Sequence, residues 1–116
     1  MAGDVTIGVQ ADPAVQPGWV AFARRVEDLG FDSLLVADHP GSGSAPFVAL
    51  AAAAAVTDRI ALGSYVLNAG TWEPMALACQ IATLDVLSAG RAVLGVGAGH
   101  TPAEWTMRGL PHPSPA

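Results

Sequence analysis

The sequence of 116 residues contains no lysine, one cysteine and one tyrosine. Its five arginines stand against ten acidic residues, and the formal net charge is -5. A chain with so few cations can release few counterions from a phosphate backbone, so nucleic acid is not an expected partner. A single cysteine cannot form an internal disulfide, which fits a reducing compartment. We expect Cys79 to be a buried, small apolar side chain within a helix.

Long hydrophobic runs and a secretory leader are also lacking. The longest apolar run, 45–56, is too short to cross a bilayer and contains Pro46. The segment 1–8 carries Asp4 but no basic residue, unlike the start of a signal peptide. We therefore predict a cytoplasmic protein that does not insert into a membrane. With 52% apolar and only 13% charged residues, the chain has the composition of a folded core rather than of a disordered segment.

Short apolar runs alternate along the chain with segments whose apolar side chains recur every three or four residues. The runs predict strands at 5–9, 33–37, 60–66 and 92–96. The periodic segments predict helices at 19–29, 46–56 and 74–88, and a further helix begins near Glu104. The strands start roughly 30 residues apart with one helix in each interval, as in a βα repeat. This order predicts an α/β fold with a parallel sheet, either an open doubly wound sheet or part of a closed barrel.

The length decides how much of a barrel the chain can form. A closed (β/α)₈ barrel takes about 250 residues, so this chain has material for about half of one. We place this partial barrel domain at 1–108. The segment 109–116 contains Pro111, Pro113 and Pro115 and cannot extend a helix or a central strand, so it is predicted to be a proline-rich tail.

Polar residues follow three of the predicted strands. They are Asp38 and His39, then Asn68, Thr71 and Glu73, then His100, Thr101 and Glu104. The carboxyl ends of parallel strands meet at one edge, so this edge is the candidate site. A purely structural role for His39 stays open, because a histidine is often simply a satisfied polar group.

Three other kinds of site are disfavoured. No HxH or HxxxH spacing supports a metal site. The glycine-rich segment 95–100 has His100 where a dinucleotide fingerprint needs its third glycine, and it follows the fourth strand instead of the first. No serine stands in a nucleophile elbow. A site without a nucleophile suits an organic cofactor, and Gly97 and Gly99 allow backbone to approach a planar ring closely.

Several motifs together carry a family resemblance. The segments 27–33, 37–39, 57–64 and 94–99 read EDLGFDS, ADH, TDRIALGS and LGVGAG, and 82–85 reads ATLD. In combination they resemble the luciferase-like monooxygenase family, which holds FMN-dependent monooxygenases and coenzyme F420-dependent oxidoreductases. The resemblance implies that the four βα units are the N-terminal half of a TIM barrel. It also implies an FMN or F420 cofactor whose ring lies across the carboxyl ends of the strands, and a small-molecule substrate.

The resemblance also implies roles for individual residues. His39 would contact the ring or the substrate and act as general acid or base, and His100 is a second catalytic candidate, at a place where several relatives carry a proton-donating glutamate. The strand-three bulge at Tyr65, Val66 and Asn68 would back the ring, with a cis Tyr65–Val66 peptide. The implied ring-contacting residues are Asp38, His39, Tyr65, Val66, Asn68, Gly97, Ala98 and Gly99, and no metal is implied.

Two functions remain open on these grounds. The phosphate site of such barrels usually comes from loops after strands seven and eight, which four βα units do not contain. In the first, the chain is a fragment of an oxidoreductase that is completed by the rest of its barrel, by self-association or by a second half-barrel. In the second, it is a truncated, non-catalytic half-barrel. The residues do not separate FMN from F420 or name the substrate.

Overall fold

The computed structural model describes residues 4–114. Within them, strands and helices alternate along the chain. The strands are β1 (Gly8–Gln10), β2 (Ser33–Val36), β3 (Ala61–Asn68) and β4 (Ala92–Gly97). The helices are α1 (Trp19–Asp28), α2 (Pro46–Ala54), α3 (Pro74–Leu87) and α4 (Pro102–Met107), and a 3₁₀ turn (Ala69–Thr71) follows β3. The sheet order is β1-β2-β3-β4 with every neighbouring pair parallel, which confirms the predicted βα repeat.

Two predicted strand boundaries were wrong by two residues or more. β1 begins at Gly8 instead of residue 5, because its pairing with β2 starts at Gly8 opposite Ser33, and Val5 is exposed. β3 continues to Asn68 instead of ending at 66. Two residues of β3 stand opposite one residue of β4, so β3 contains a bulge. Pairing resumes beyond it with Leu67 opposite Val96 and ends with Asn68 opposite Gly97.

The core lies between the helices and the sheet. The buried apolar side chains come mainly from α2, β2 and β3, and they include Leu34, Val36, Phe47, Leu50, Ile60, Leu62 and Leu67. Ala49, Ala53 and Ala54 of the alanine-rich helix α2 are buried, so α2 is a core helix. A small side chain without rotamer entropy suits a central helix that packs closely against a sheet.

The β4 side of the molecule leaves apolar surface uncovered. Val93 and Val96 of β4 and Val86 and Leu87 of α3 are all exposed. Cys79 of α3 is exposed as well, so the expectation of burial was wrong. The reason is that α3 packs mainly against α2 and β4, which cover one side of an otherwise apolar helix. The Cα radius of gyration is 14.9 Å, above the value of about 13.4 Å for a compact chain of this length.

Helix length and the C-terminal segment bear on two further predictions. None of the helices described is both long and apolar enough to cross a membrane. The described part of the predicted tail, 109–114, forms neither helix nor strand. Residues 1–3 of the predicted domain and 115–116 of the predicted tail lie outside the described residues. The domain boundary at 108 stays a prediction.

Candidate active site

A cleft of about 400 Å³ opens at the carboxyl ends of the strands. Every residue predicted to contact the ring or to act as a catalytic group lines it: Asp38, His39, Tyr65, Val66, Asn68, Gly97, Ala98, Gly99 and His100. Gln10, Leu67 and Glu104 line it too, outside the predicted set. Gln10 directly follows the predicted first strand, 5–9, so the rule that selected polar residues after the other strands would have identified it. Glu104 was noted among the polar residues after the fourth strand, but nothing local to it indicated a partner.

Asp38 joins the ends of three segments. Its side chain is only 3% exposed. Oδ2 accepts hydrogen bonds from the Asn68 backbone N–H at 3.1 Å and from Trp72 Nε1 at 2.8 Å. Oδ1 accepts from Arg108 Nη2 at 3.1 Å, and that guanidinium lies over the Trp72 ring, 4.9 Å from its centroid. Both carboxylate oxygens therefore have partners inside the protein, and Asp38 holds the end of β3 in place.

His39 is held at its backbone and at its ring. Its carbonyl accepts from the N–H groups of Ser42 and Gly43 at 3.2 and 2.8 Å, which closes a turn directly after β2. Its Nδ1 lies 2.8 Å from Glu104 Oε1, across 65 residues of sequence. The Glu104 side chain is 11% exposed and that of His39 is 50% exposed, so the ring lies at the wall of the cleft.

The loop after His39 is tied to the loop after β1 through Asp12. Its Oδ2 accepts from the Ser44 backbone N–H at 3.0 Å, and Oδ1 accepts from the Ala14 N–H at 2.8 Å and from the Ser44 hydroxyl. Burial alone would raise the pKa of Asp12, but these hydrogen bonds outweigh it and hold the pKa below its ordinary value. Asp12 is thus kept as a carboxylate, and the two loops beside the cleft are fixed to each other.

The side chain of Asn68, at the end of β3, packs closely against Gly99, just after the end of β4. Asn68 is 4% exposed, and its Oδ1 is buried without a hydrogen-bond partner among the described residues. Gly99 has φ +78°, and a Cβ built there would overlap the Asn68 amide group. Only glycine therefore meets both the backbone conformation and the space at this position. An unpaired buried acceptor costs stability, so it marks a position where a ligand donor would be favourable.

The β3 bulge forms another part of the cleft. The Tyr65–Val66 peptide is cis, so the prediction taken from the family resemblance is confirmed. Tyr65 and Val66 stay exposed at the cleft, and Gln10 Nε2 donates to the Tyr65 carbonyl at 3.2 Å. This hydrogen bond connects the end of β1 to the bulge. In residues 4–114, no group of three or more His, Cys, Asp or Glu side chains is arranged to hold a metal ion.

Comparison with known proteins identifies the family. The sequence model of the luciferase-like monooxygenases matches residues 6–116. The chain belongs to this family. The parallel βα order of the chain agrees with the TIM-barrel fold of its luciferase-like structural neighbours.

Its relatives include a methanopterin reductase and an F420-dependent dehydrogenase. The chain is 38% identical over 111 residues to 5,10-methylenetetrahydromethanopterin reductase of Methanopyrus kandleri, covering 95% of this chain and 31% of the relative. It is 39% identical over 102 residues to an F420-dependent glucose-6-phosphate dehydrogenase of Beutenbergia cavernae, covering 81% of this chain and 30% of the relative.

Solved structures agree with this assignment. The F420-dependent tetrahydromethanopterin reductase of Methanopyrus kandleri superposes with a TM-score of 0.80 at 34% identity over 94% of this chain and 31% of its own. The oxygenating constituent of 3,6-diketocamphane monooxygenase from Pseudomonas putida, solved in complex with FMN, also gives 0.80, at 26% identity over 91% of this chain and 33% of its own.

The chain spans about a third of the length of these relatives. Four βα units are half of the eight in a TIM barrel. The remaining two thirds of each relative are therefore longer than four further βα units of the size found here.

Proposed function

We propose that this chain is the ring-binding part of an FMN- or F420-dependent oxidoreductase of the luciferase-like family that acts on a small organic molecule. The observation that carries this proposal is the convergence of all nine predicted site residues on one cleft. They come from the ends of three neighbouring strands and from the loops that follow. The relatives named as F420-dependent, and the relative solved with FMN, support both cofactors.

The residues present fit a planar ring with polar edges. The volume of the cleft falls within the roughly 300–1,000 Å³ of small-molecule sites. We assign one part of the ring contact to Tyr65 and Val66 of the bulge and another to the backbone of 97–99, where small residues allow a close approach. Asn68 Oδ1, a buried acceptor without a partner, suits an N–H group of a heterocycle.

The chain's own groups have distinct tasks in this proposal. A bound flavin or deazaflavin supplies the redox chemistry, as electron-pair acceptor or donor. His39, held at its backbone and at Nδ1, gives or takes a proton at the ring nitrogen that remains, Nε2. His100 is a second candidate for proton transfer. Both carboxylate oxygens of Asp38 already accept hydrogen bonds within the protein. Its proposed role is therefore to hold Asn68 in place beside the ring.

The uncovered apolar surface beside β4 indicates where a partner would bind. An unpaired strand next to exposed apolar side chains favours pairing with another strand. We propose that the rest of the barrel, a second half-barrel or a second copy of this chain covers it. A non-catalytic half-barrel that only associates is the second candidate function, and the same exposed surface favours it.

We also propose a cytoplasmic location, supported by the single cysteine, which cannot form an internal disulfide.

Titration of the purified chain with FMN and with F420 tests the ring site. We expect binding about 10³-fold weaker than in a full-length relative, because charge-assisted phosphate contacts from later loops are missing. Gly99→Ala should abolish it, since its methyl group overlaps the Asn68 amide. Gly90→Ala is the matched control. Gly90 also has a positive φ, +82°, but nothing lies within 4 Å of a Cβ there.

Fluorescence of the cofactor reports binding, and urea unfolding of each variant reports stability. Weak binding that Gly99→Ala removes and Gly90→Ala preserves would support the proposal. Binding of neither cofactor at millimolar concentration, or equal binding by both variants, would contradict it. Sub-micromolar affinity for either cofactor would show that this part of the barrel already holds most of the site.

A further inference from the structure

Glu104 contacts His39 although the two residues belong to different parts of the fold. His39 follows β2, whereas Glu104 lies in the first turn of α4, after β4. Glu104 Oε1 is 2.8 Å from His39 Nδ1, and Oε2 is 3.5 Å from Asn68 Nδ2. One carboxyl group thus contacts side chains at the ends of two other strands. Its side chain is 11% exposed, so the protein surrounds it on most sides.

The chemistry of the two groups sets the position of the proton. An ionised carboxylate can only accept hydrogen bonds, so Nδ1 must donate and carry the hydrogen. In a neutral imidazole the other nitrogen, Nε2, then has a free lone pair. Among the described residues, only Nδ1 of this ring makes a hydrogen bond, and half of the side chain is exposed. Nε2 is therefore the atom that can accept a proton from a molecule in the cleft.

We propose that Glu104 is the positioning residue of His39 and that its contact with Nδ1 holds the ring in the Nδ1–H tautomer, with Nε2 unprotonated. This inference rests on the proposed function only in assigning proton transfer to His39. A histidine without such a partner favours hydrogen on Nε2, and in that neutral form Nε2 has no lone pair with which to accept a proton. The contact with Glu104 reverses this preference and also sets the rotation of the ring.

Nitrogen NMR of the cofactor-free chain tests the tautomer directly. The chain is labelled with ¹⁵N in its histidines and measured at about pH 8, where an ordinary histidine is mostly neutral. We expect His39 to show a protonated Nδ1 and an unprotonated Nε2. Glu104→Ala should reverse the majority tautomer to Nε2–H. Glu104→Gln, whose amide oxygen can still accept, should retain Nδ1–H, so the conservative variant rescues the signature.

His100 provides the internal control in every sample, because it is exposed and its tautomer should not respond to position 104. Backbone amide spectra show whether each variant keeps the fold of β2 and β3. Wild-type His39 in the Nε2–H form would overturn the proposal without any variant. An unchanged tautomer in folded Glu104→Ala would also overturn it. Because no cofactor is present, the result is independent of whether FMN or F420 binds.

Discussion

Glu27 connects α1 to the start of β3 through its carboxylate. Its oxygens accept hydrogen bonds from three consecutive backbone N–H groups, those of Asp58 at 3.0 Å, Arg59 at 2.6 Å and Ile60 at 2.9 Å. Burial alone would raise the pKa of Glu27, but these bonds, together with the Arg59 charge, hold the pKa below its ordinary value. The segment 58–60 leads directly into the strand that carries Asn68 and the bulge.

Glu27→Gln keeps the shape of the side chain but removes its charge. The amide oxygen can replace only one carboxylate oxygen, and the amide N–H₂ cannot accept from the backbone. Hydrogen bonds to a charged group contribute about 1.5–3 kcal/mol each, compared with about 0.5–1.5 kcal/mol for neutral ones. Because the site is partly exposed and a neutral acceptor remains, we expect a loss of about 1–2 kcal/mol in the free energy of unfolding at pH 7.

The pH dependence of this loss provides a second check. A carboxyl group whose pKa is lowered by folding stabilises the protein above its unfolded pKa, and that contribution is lost as the pH falls through the folded value. The reference pKa is 4.5. The difference between wild type and Glu27→Gln should therefore be complete near neutral pH and shrink progressively below the reference value.

Urea unfolding followed by far-ultraviolet circular dichroism at pH 7 and at about pH 3 measures both effects. Asp28→Asn, an exposed carboxylate next to Glu27 in the sequence, is the matched control and should change stability by less than about 0.5 kcal/mol. An equal difference between wild type and Glu27→Gln at the two pH values would refute the role of the ionised carboxylate. A loss no larger than that of the control would refute the magnitude.

Three further predictions concern the site and the uncovered surface. In the completed enzyme, His39→Ala should lower turnover by about 10²-fold or more, as for the loss of a general acid or base. His100→Ala should lower turnover less. Turnover of His39→Ala equal to wild type would leave His39 a structural residue. Asp38→Asn should lower the free energy of unfolding by about 1–3 kcal/mol, because an amide cannot accept at both oxygen positions, and urea unfolding indistinguishable from wild type would contradict this. The chain should self-associate in light scattering, and Val96→Arg on the exposed edge strand should reduce its mass toward the monomer; a monodisperse wild-type monomer would show that this edge does not pair.

Local patterns in the sequence determined most of the fold. The helix starts at Pro46 and Pro74 and the strand starts at 33 and 92 agree with the structure, because proline placement and apolar periodicity depend on neighbours along the chain. The location of the site followed from the same order, since the carboxyl ends of parallel strands share one edge. The cis peptide at Tyr65 came from family resemblance and not from any local pattern.

The tertiary structure decided what depends on distant partners. β1 is shorter than its apolar run because only the residues that face β2 pair, and β3 extends because pairing resumes beyond its bulge. Cys79 is exposed because nothing described covers the outer side of α3. The contact between Glu104 and His39 joins residues 65 positions apart. Sequence placed both residues at one edge, but only the tertiary structure brings the first turn of α4 beside the loop after β2, where the carboxylate meets Nδ1.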